Sequence, residues 1–124
     1  MRVLIAARDV RVRRALSRLL ELDGHRIVGT TDVSPQLPQL DAEVRPRLVV
    51  LELDPPQDPQ DLLVIEGLAR RGRAVIAVCS GPASRDAVLA AGARACLDTD
   101  AGFADRLAEA VRAVAGPRMS APPA

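Results

Sequence analysis

RLVVLELDPP, residues 47–56, is the stretch that decides the fold. From Arg47 to Leu51 it is almost wholly apolar and rich in valine and leucine, with no alternation of polar positions. A strand of that kind is covered on both faces, the condition of a parallel sheet with helices above and below it. The loop behind it, Leu53 to Pro59, holds three prolines, which stop the strand and delay the next helix. Short apolar runs of the same kind lie on either side: Val3 to Ala6, His25 to Gly29, Ala74 to Val78 and Arg94 to Leu97.

Helical patterns fill the intervals. Asp9 stands as an N-cap before Val12, Ala15, Leu16, Leu19 and Leu20, with Arg11, Arg13, Arg14 and Arg18 on the wet face and Asp23-Gly24 as the stop. Ser34-Pro35 predicts the start of a short, weak second helix that ends near Val44 and carries Pro38. The third helix spans about Gln60 to Arg70 and buries Leu62, Ile65 and Leu68. Ser84 caps a fourth containing Val88 and Leu89, closed by Gly92. Asp100 leads into the last, with Phe103, Leu107, Ala110, Val111 and Val114 on one stripe. Strand and helix alternate five times, which predicts right-handed βαβ crossovers and helices on both faces of the sheet. One domain is expected over residues 1–116. The tail 117–124, PRMSAPPA, is too rich in proline and small residues to pack and is expected to be disordered.

Composition narrows the function. The 124 residues suit one domain, and 48% hydrophobic content supplies a core without metal or disulfide. A net charge of +1 gives no global attraction to nucleic acid or to an anionic membrane. All 17 basic residues are arginine, so no site that requires a lysine amine can exist. Phe103 is the sole aromatic residue, which removes stacking platforms for single-stranded nucleic acid. Cys79 and Cys96 sit in apolar surroundings and read as buried free thiols; with a single histidine, His25, read as a surface or edge residue, no zinc site is expected. The opening MRVLIAA is too short for a signal sequence and no stretch approaches a membrane span, so a cytoplasmic protein is expected.

The strings RVLIAARDVRVRRALSRLLE, Arg45-Pro46 with LVVLELDPP, AVIAVCS and AGARACLDTDA, in this order and spacing, resemble the CheY-like receiver domain of bacterial two-component response regulators. The resemblance covers roughly residues 2–115. It implies a flavodoxin-like α/β fold, a doubly wound (βα)₅ unit with a five-stranded parallel sheet in order 2-1-3-4-5. It also implies a site at the sheet's C-terminal edge: two acids after the first strand that bind Mg²⁺, an acceptor aspartate ending the third, a hydroxyl after the fourth and a lysine after the fifth. Position by position, the acid pair falls on Ala7 and Arg8, the acceptor on Glu52 and the hydroxyl on Cys79. The aromatic switch falls on Cys96 and the lysine on Thr99. Pro56 falls four residues after the acceptor position, as in the family.

The chemistry of that substitution set is direct. Mg²⁺ takes hard oxygen ligands, and here a methyl and a guanidinium replace two carboxylates. The extra methylene of Glu52 displaces its oxygen from an aspartate's position, and misplacement alone costs on the order of 10² in rate. An ion pair between Arg8 and Glu52 is expected instead, since a buried carboxylate needs a partner. Asp54 in the proline loop is a weaker acceptor candidate, and Asp9 reads as a helix cap rather than a metal ligand. Cys79 reads as a small buried residue rather than a redox-sensing thiol.

The resulting expectation is a stand-alone pseudo-receiver without enzymatic activity or cofactor, acting in signal transduction through phosphorylation-independent protein–protein contact. Its partner would be a kinase, a regulator or an output protein, or a second copy docked through the fourth helix, fifth strand and fifth helix, where Arg85, Arg94, Asp98 and Arg106 lie; neither nucleic acid nor membrane is expected. Two rivals are a phosphorelay receiver with a displaced acceptor and a small-ligand-binding flavodoxin-like domain. The second is disfavoured because AARDV, after the first strand, has no glycine to admit a phosphate.

Overall fold

The structure, a computed structural model, describes residues 1–32, 36–53, 59–79 and 85–119. Its elements alternate in chain order: β1 (Arg2–Ala6), α1 (Val10–Leu22), β2 (Arg26–Thr31), α2 (Leu37–Val44), β3 (Leu48–Leu53), α3 (Pro59–Arg70), β4 (Ala74–Cys79), α4 (Arg85–Ala91), β5 (Ala95–Asp98) and α5 (Phe103–Met119). The five strands form one parallel sheet in order β2-β1-β3-β4-β5. This is the doubly wound, flavodoxin-like arrangement expected from the sequence.

The period of two along each strand sorts side chains onto two cores. Val3 and Ile5 of β1, Leu48 and Val50 of β3, and Ile76 and Val78 of β4 pack with Leu16 and Leu20 of α1 and Leu107 and Val111 of α5. The alternate residues, among them Leu4, Val49, Leu51, Val75 and Ala77, pack with Leu37 of α2, Ile65 and Leu68 of α3 and Val88 of α4. β3 and β4 are the central pair of this scheme. Every residue of β4 is buried, and so is every residue of β3 except Glu52. Each fully buried aliphatic side chain contributes about 1.5–3 kcal/mol, so the RLVVL run is the axis of the fold.

The local signals act as expected at most ends. Asp9 caps α1, its side chain accepting the backbone N–H of Arg11 at 2.8 Å, and Gly24 takes the left-handed turn behind Asp23 at φ +87°. Two differences matter. Ser34 and Pro35 lie outside the described residues, and α2 begins at Leu37 with Pro38 in its first turn, where a missing N–H is harmless. At the other end α5 runs to Met119, past Gly116. The helix thus crosses the boundary expected at 116 and takes in residues 117–119 of the tail, while Val111 and Ala115 on its inner face are buried. A proline that close to a helix end removes one late hydrogen bond only. Residues 120–124 lie outside the described residues.

Among the described residues one charged group is wholly buried. Asp41 of α2 has no exposed surface, and its two oxygens accept from Arg71 Nη1 at 3.0 Å and Arg73 Nε at 2.9 Å. Arg71 also donates to the Pro38 carbonyl at 3.1 Å. The α3–β4 turn thus clamps α2, a helix with few strong formers, against the sheet.

Candidate functional site

The C-terminal edge of a parallel sheet is where open α/β folds place their ligands. Here that edge carries Ala7 and Arg8 after β1, Glu52 in β3, Cys79 ending β4 and Thr99 after β5. Residue 54, the alternative acceptor, lies outside the described residues.

Glu52 is half-buried and projects on the side of the sheet that holds α1 and α5, in phase with Leu48 and Val50. Its Oε1 accepts the backbone N–H of Arg8 at 3.1 Å and that of Asp9 at 3.4 Å. Through these bonds the carboxylate is held by the main chain of the β1–α1 loop, at the same residue whose side chain was expected to pair with it. Two converging N–H groups make an anion seat, and the protein fills it with its own carboxylate.

The surroundings of that seat are cationic. Arg13, one turn into α1, donates from Nη1 to the Ala7 carbonyl at 2.8 Å and to the Arg8 carbonyl at 3.4 Å. Sequence reasoning put Arg13 on the wet face of the helix; it is half-buried and bonded back over the end of β1. The Ala7 methyl is buried, and its N–H is spent on the Thr31 carbonyl at 2.9 Å. The side chain of Asp9 is engaged as the helix cap, and the Arg11 N–H holds its carboxyl below the usual carboxylate range.

On the β5 side, Thr99 is exposed. The guanidinium of Arg106, on the helix that follows the lysine position, is occupied: Nη2 donates to the Asp98 carbonyl at 3.1 Å and pairs with Asp100, and Nη1 donates to the Ala101 carbonyl at 3.3 Å. Arg85 of α4 pairs with Asp98 at 3.4 Å. The structure thus brings Arg85, Asp98 and Arg106 into one network joining α4, β5 and α5. Arg94 lies apart from it, exposed at the start of β5. Cys79 and Cys96 are both buried, with their sulfurs 2.7 Å apart. Burial first, and the neighbouring sulfur second, push the Cys79 thiol up to about 12. His25 sits at the far end of the sheet, and burial together with the N-terminal ammonium pushes its imidazole down.

Receiver domains hold Mg²⁺ between carboxylates at this edge. The residues present here do not fit that ion: a methyl and a guanidinium stand at the acid-pair positions, and the remaining carboxylate has an oxygen committed to two N–H donors. Among the described residues no group of three His, Cys, Asp or Glu side chains could hold a metal ion. No helix among them is long and apolar enough to cross a membrane.

Solved structures share the fold closely. A DNA-binding response regulator of the LuxR family from Staphylococcus aureus superposes with a TM-score of 0.78 at 22% identity, over 91% of this chain and 97% of that one. The response regulatory domain of mrkE from Klebsiella pneumoniae gives 0.82 at 11% identity, over 98% and 100% of the two chains. The signal receiver domain of a modulated diguanylate cyclase from Desulfovibrio desulfuricans G20 gives 0.80 at 16% identity, over 95% of each. No family model and no curated protein matches the sequence.

Proposed function

We propose that this chain, which has the fold of response-regulator receiver domains, is a degenerate receiver that signals by binding another protein and takes no phosphoryl group. The observation that carries the reading is the Glu52 carboxylate held by the N–H groups of Arg8 and Asp9. A phosphoacceptor must present a free oxygen in line with the donor, beside a cation that neutralises the transferring charge. Glu52 has its Oε1 engaged by those two N–H groups, and a methyl and an arginine stand at the acid-pair positions where such a cation would be held. Lysine is absent from the whole sequence, so no amine can substitute.

What remains is a rigid fold with a held edge, suited to contact rather than to catalysis. The face of α4, β5 and α5 is the interaction surface we assign, because it mixes exposed arginines (Arg94, Arg112) with acids already organised by Arg85 and Arg106. Mixed charge of this kind favours a specific protein partner, or a second copy, over DNA. Incubation with Mg²⁺ and acetyl phosphate followed by intact-mass measurement tests the reading. The expected result is an unchanged mass; a gain of one phosphoryl group, on Glu52 or on any other carboxylate, overturns it.

A further inference from the structure

The two cysteines of the chain, which the proposed function leaves without a task, meet inside it. Cys79 ends β4 and Cys96 lies in β5. The register sets Cys96 beside Ala77 and Cys79 beside Asp98, so the two are diagonal neighbours on adjacent strands. Both face the α2–α3–α4 core, both are free thiols, and their sulfurs are 2.7 Å apart. That is inside the usual separation of non-bonded sulfurs. An S–S bond of about 2.05 Å requires only a further approach of about 0.6 Å.

We propose that Cys79 and Cys96 are a modification site: a reversible intramolecular disulfide, formed by exchange with a low-molecular-weight disulfide, that ties edge strand β5 to β4. The position gives the bond its meaning. It lies at the same sheet edge as Glu52, and the rung next to it, Cys79 with Asp98, carries the pairings of Asp98 with Arg85 and Arg106. Closing it would fix the strand ends on which α4 and α5 are hung. That signalling consequence rests on the proposed function; the existence of the bond does not.

The exchange balances in two steps. The Cys96 thiolate attacks one sulfur of the small disulfide; a Cys96 mixed disulfide forms and one small thiolate leaves, taking up a proton. The Cys79 thiol then gives its proton to solvent and attacks Cys96 Sγ. The protein S–S bond forms and the second small thiol departs. Two protein thiols lose two electrons, and one small disulfide gains them. Cys96 acts first because it lies on β5, the edge strand whose opening admits the small disulfide, whereas Cys79 lies on β4, inside the sheet. Both sulfurs are buried, so entry waits on opening of the four-residue strand β5 at the sheet margin, a local fluctuation that makes the reaction slow.

The test uses the full chain and oxidised glutathione as the probe. After incubation, denaturation and alkylation, the wild type should lose both alkylatable thiols, remain a monomer on a non-reducing gel and weigh two hydrogens less. Dithiothreitol should restore all three properties. Cys79→Ser should stop at a glutathione adduct on Cys96, and Cys96→Ser should give neither bond nor adduct over the same time. Two thiols still alkylatable in the oxidised wild type, an adduct that never closes, or bonds formed only between chains would overturn the proposal. The wild-type pattern decides it even if a variant fails to fold. Phosphoryl uptake from acetyl phosphate would sink the proposed function without altering any of these thiol readouts.

Discussion

Glu52→Ala removes the group around which the β1–α1 loop is organised, and its effect can be sized from the geometry. A hydrogen bond to a charged group contributes about 1.5–3 kcal/mol net when well formed and buried. The Arg8 N–H bond, at 3.1 Å, lies in the normal range, whereas the Asp9 bond, at 3.4 Å, is longer and contributes less. Glu52 is half-buried, so water replaces part of what is lost. The expected loss is therefore about 1–2 kcal/mol, and for a domain of this size each kcal/mol lowers Tm by about 3–6 °C. Glu52→Gln keeps an acceptor oxygen without the charge and should lose about half as much. Urea unfolding followed by far-UV circular dichroism gives the stability, and amide hydrogen exchange at Arg8 and Asp9 gives the local effect. Exchange at those two amides should quicken in Glu52→Ala beyond the global change. A variant with stability within 0.3 kcal/mol of wild type (about a quarter of the effect) and unaltered exchange at both amides would refute the anion-seat argument.

Asp41→Ala should be the most damaging of the charge deletions, by about 3 kcal/mol in chemical unfolding. It strands two guanidinium groups, though the partial exposure of Arg71 and Arg73 keeps the loss at the lower end of the range for broken buried pairs. Asp9→Ala should destabilise α1 through loss of its cap. Because the folded Asp9 carboxyl titrates below its ordinary value of 3.8, the capping contribution is complete above that value and fades as pH falls through the folded pKa. A pH series of thermal melts on both proteins should therefore converge in strong acid. His25 has the same sign for a different reason. Its folded pKa is lowered from 6.5 by burial, so its contribution is complete above pH 6.5 and is lost on acidification below it, a slope that His25→Gln should flatten.

The sheet was legible because its signals are local and redundant. RLVVL and AVIAV could be nothing but doubly covered strands, and the caps Asp9 and Gly24 lie where their chemistry demands. The site was legible as a set of positions but not as a set of contacts. Arg13 follows its neighbours' pattern of solvated arginines, and only the end of β1, one turn below, shows why it folds back. Asp41 lies four residues from Leu37 on the buried face of α2, a hint that it faces inward. Its partners are 30 and 32 residues away, joined to it by the packing of α2 on the α3–β4 turn rather than by any spacing. The two cysteines were read singly, as a strand-end residue and a switch position. That they share a face depends on the β4–β5 register, which hydrophobic pattern alone does not specify.

Arg13 has a consequence for any redesign of this edge. Its guanidinium is tied to the carbonyls of Ala7 and Arg8. An aspartate introduced at either place would share its loop with a permanent cation before it met a dissolved one. A divalent-metal site built here would need changes on the loop, on β3 and on α1 together, since any one alone leaves either the cation or the missing carboxylates in place. The helix thus sets the charge of a loop to which it does not belong.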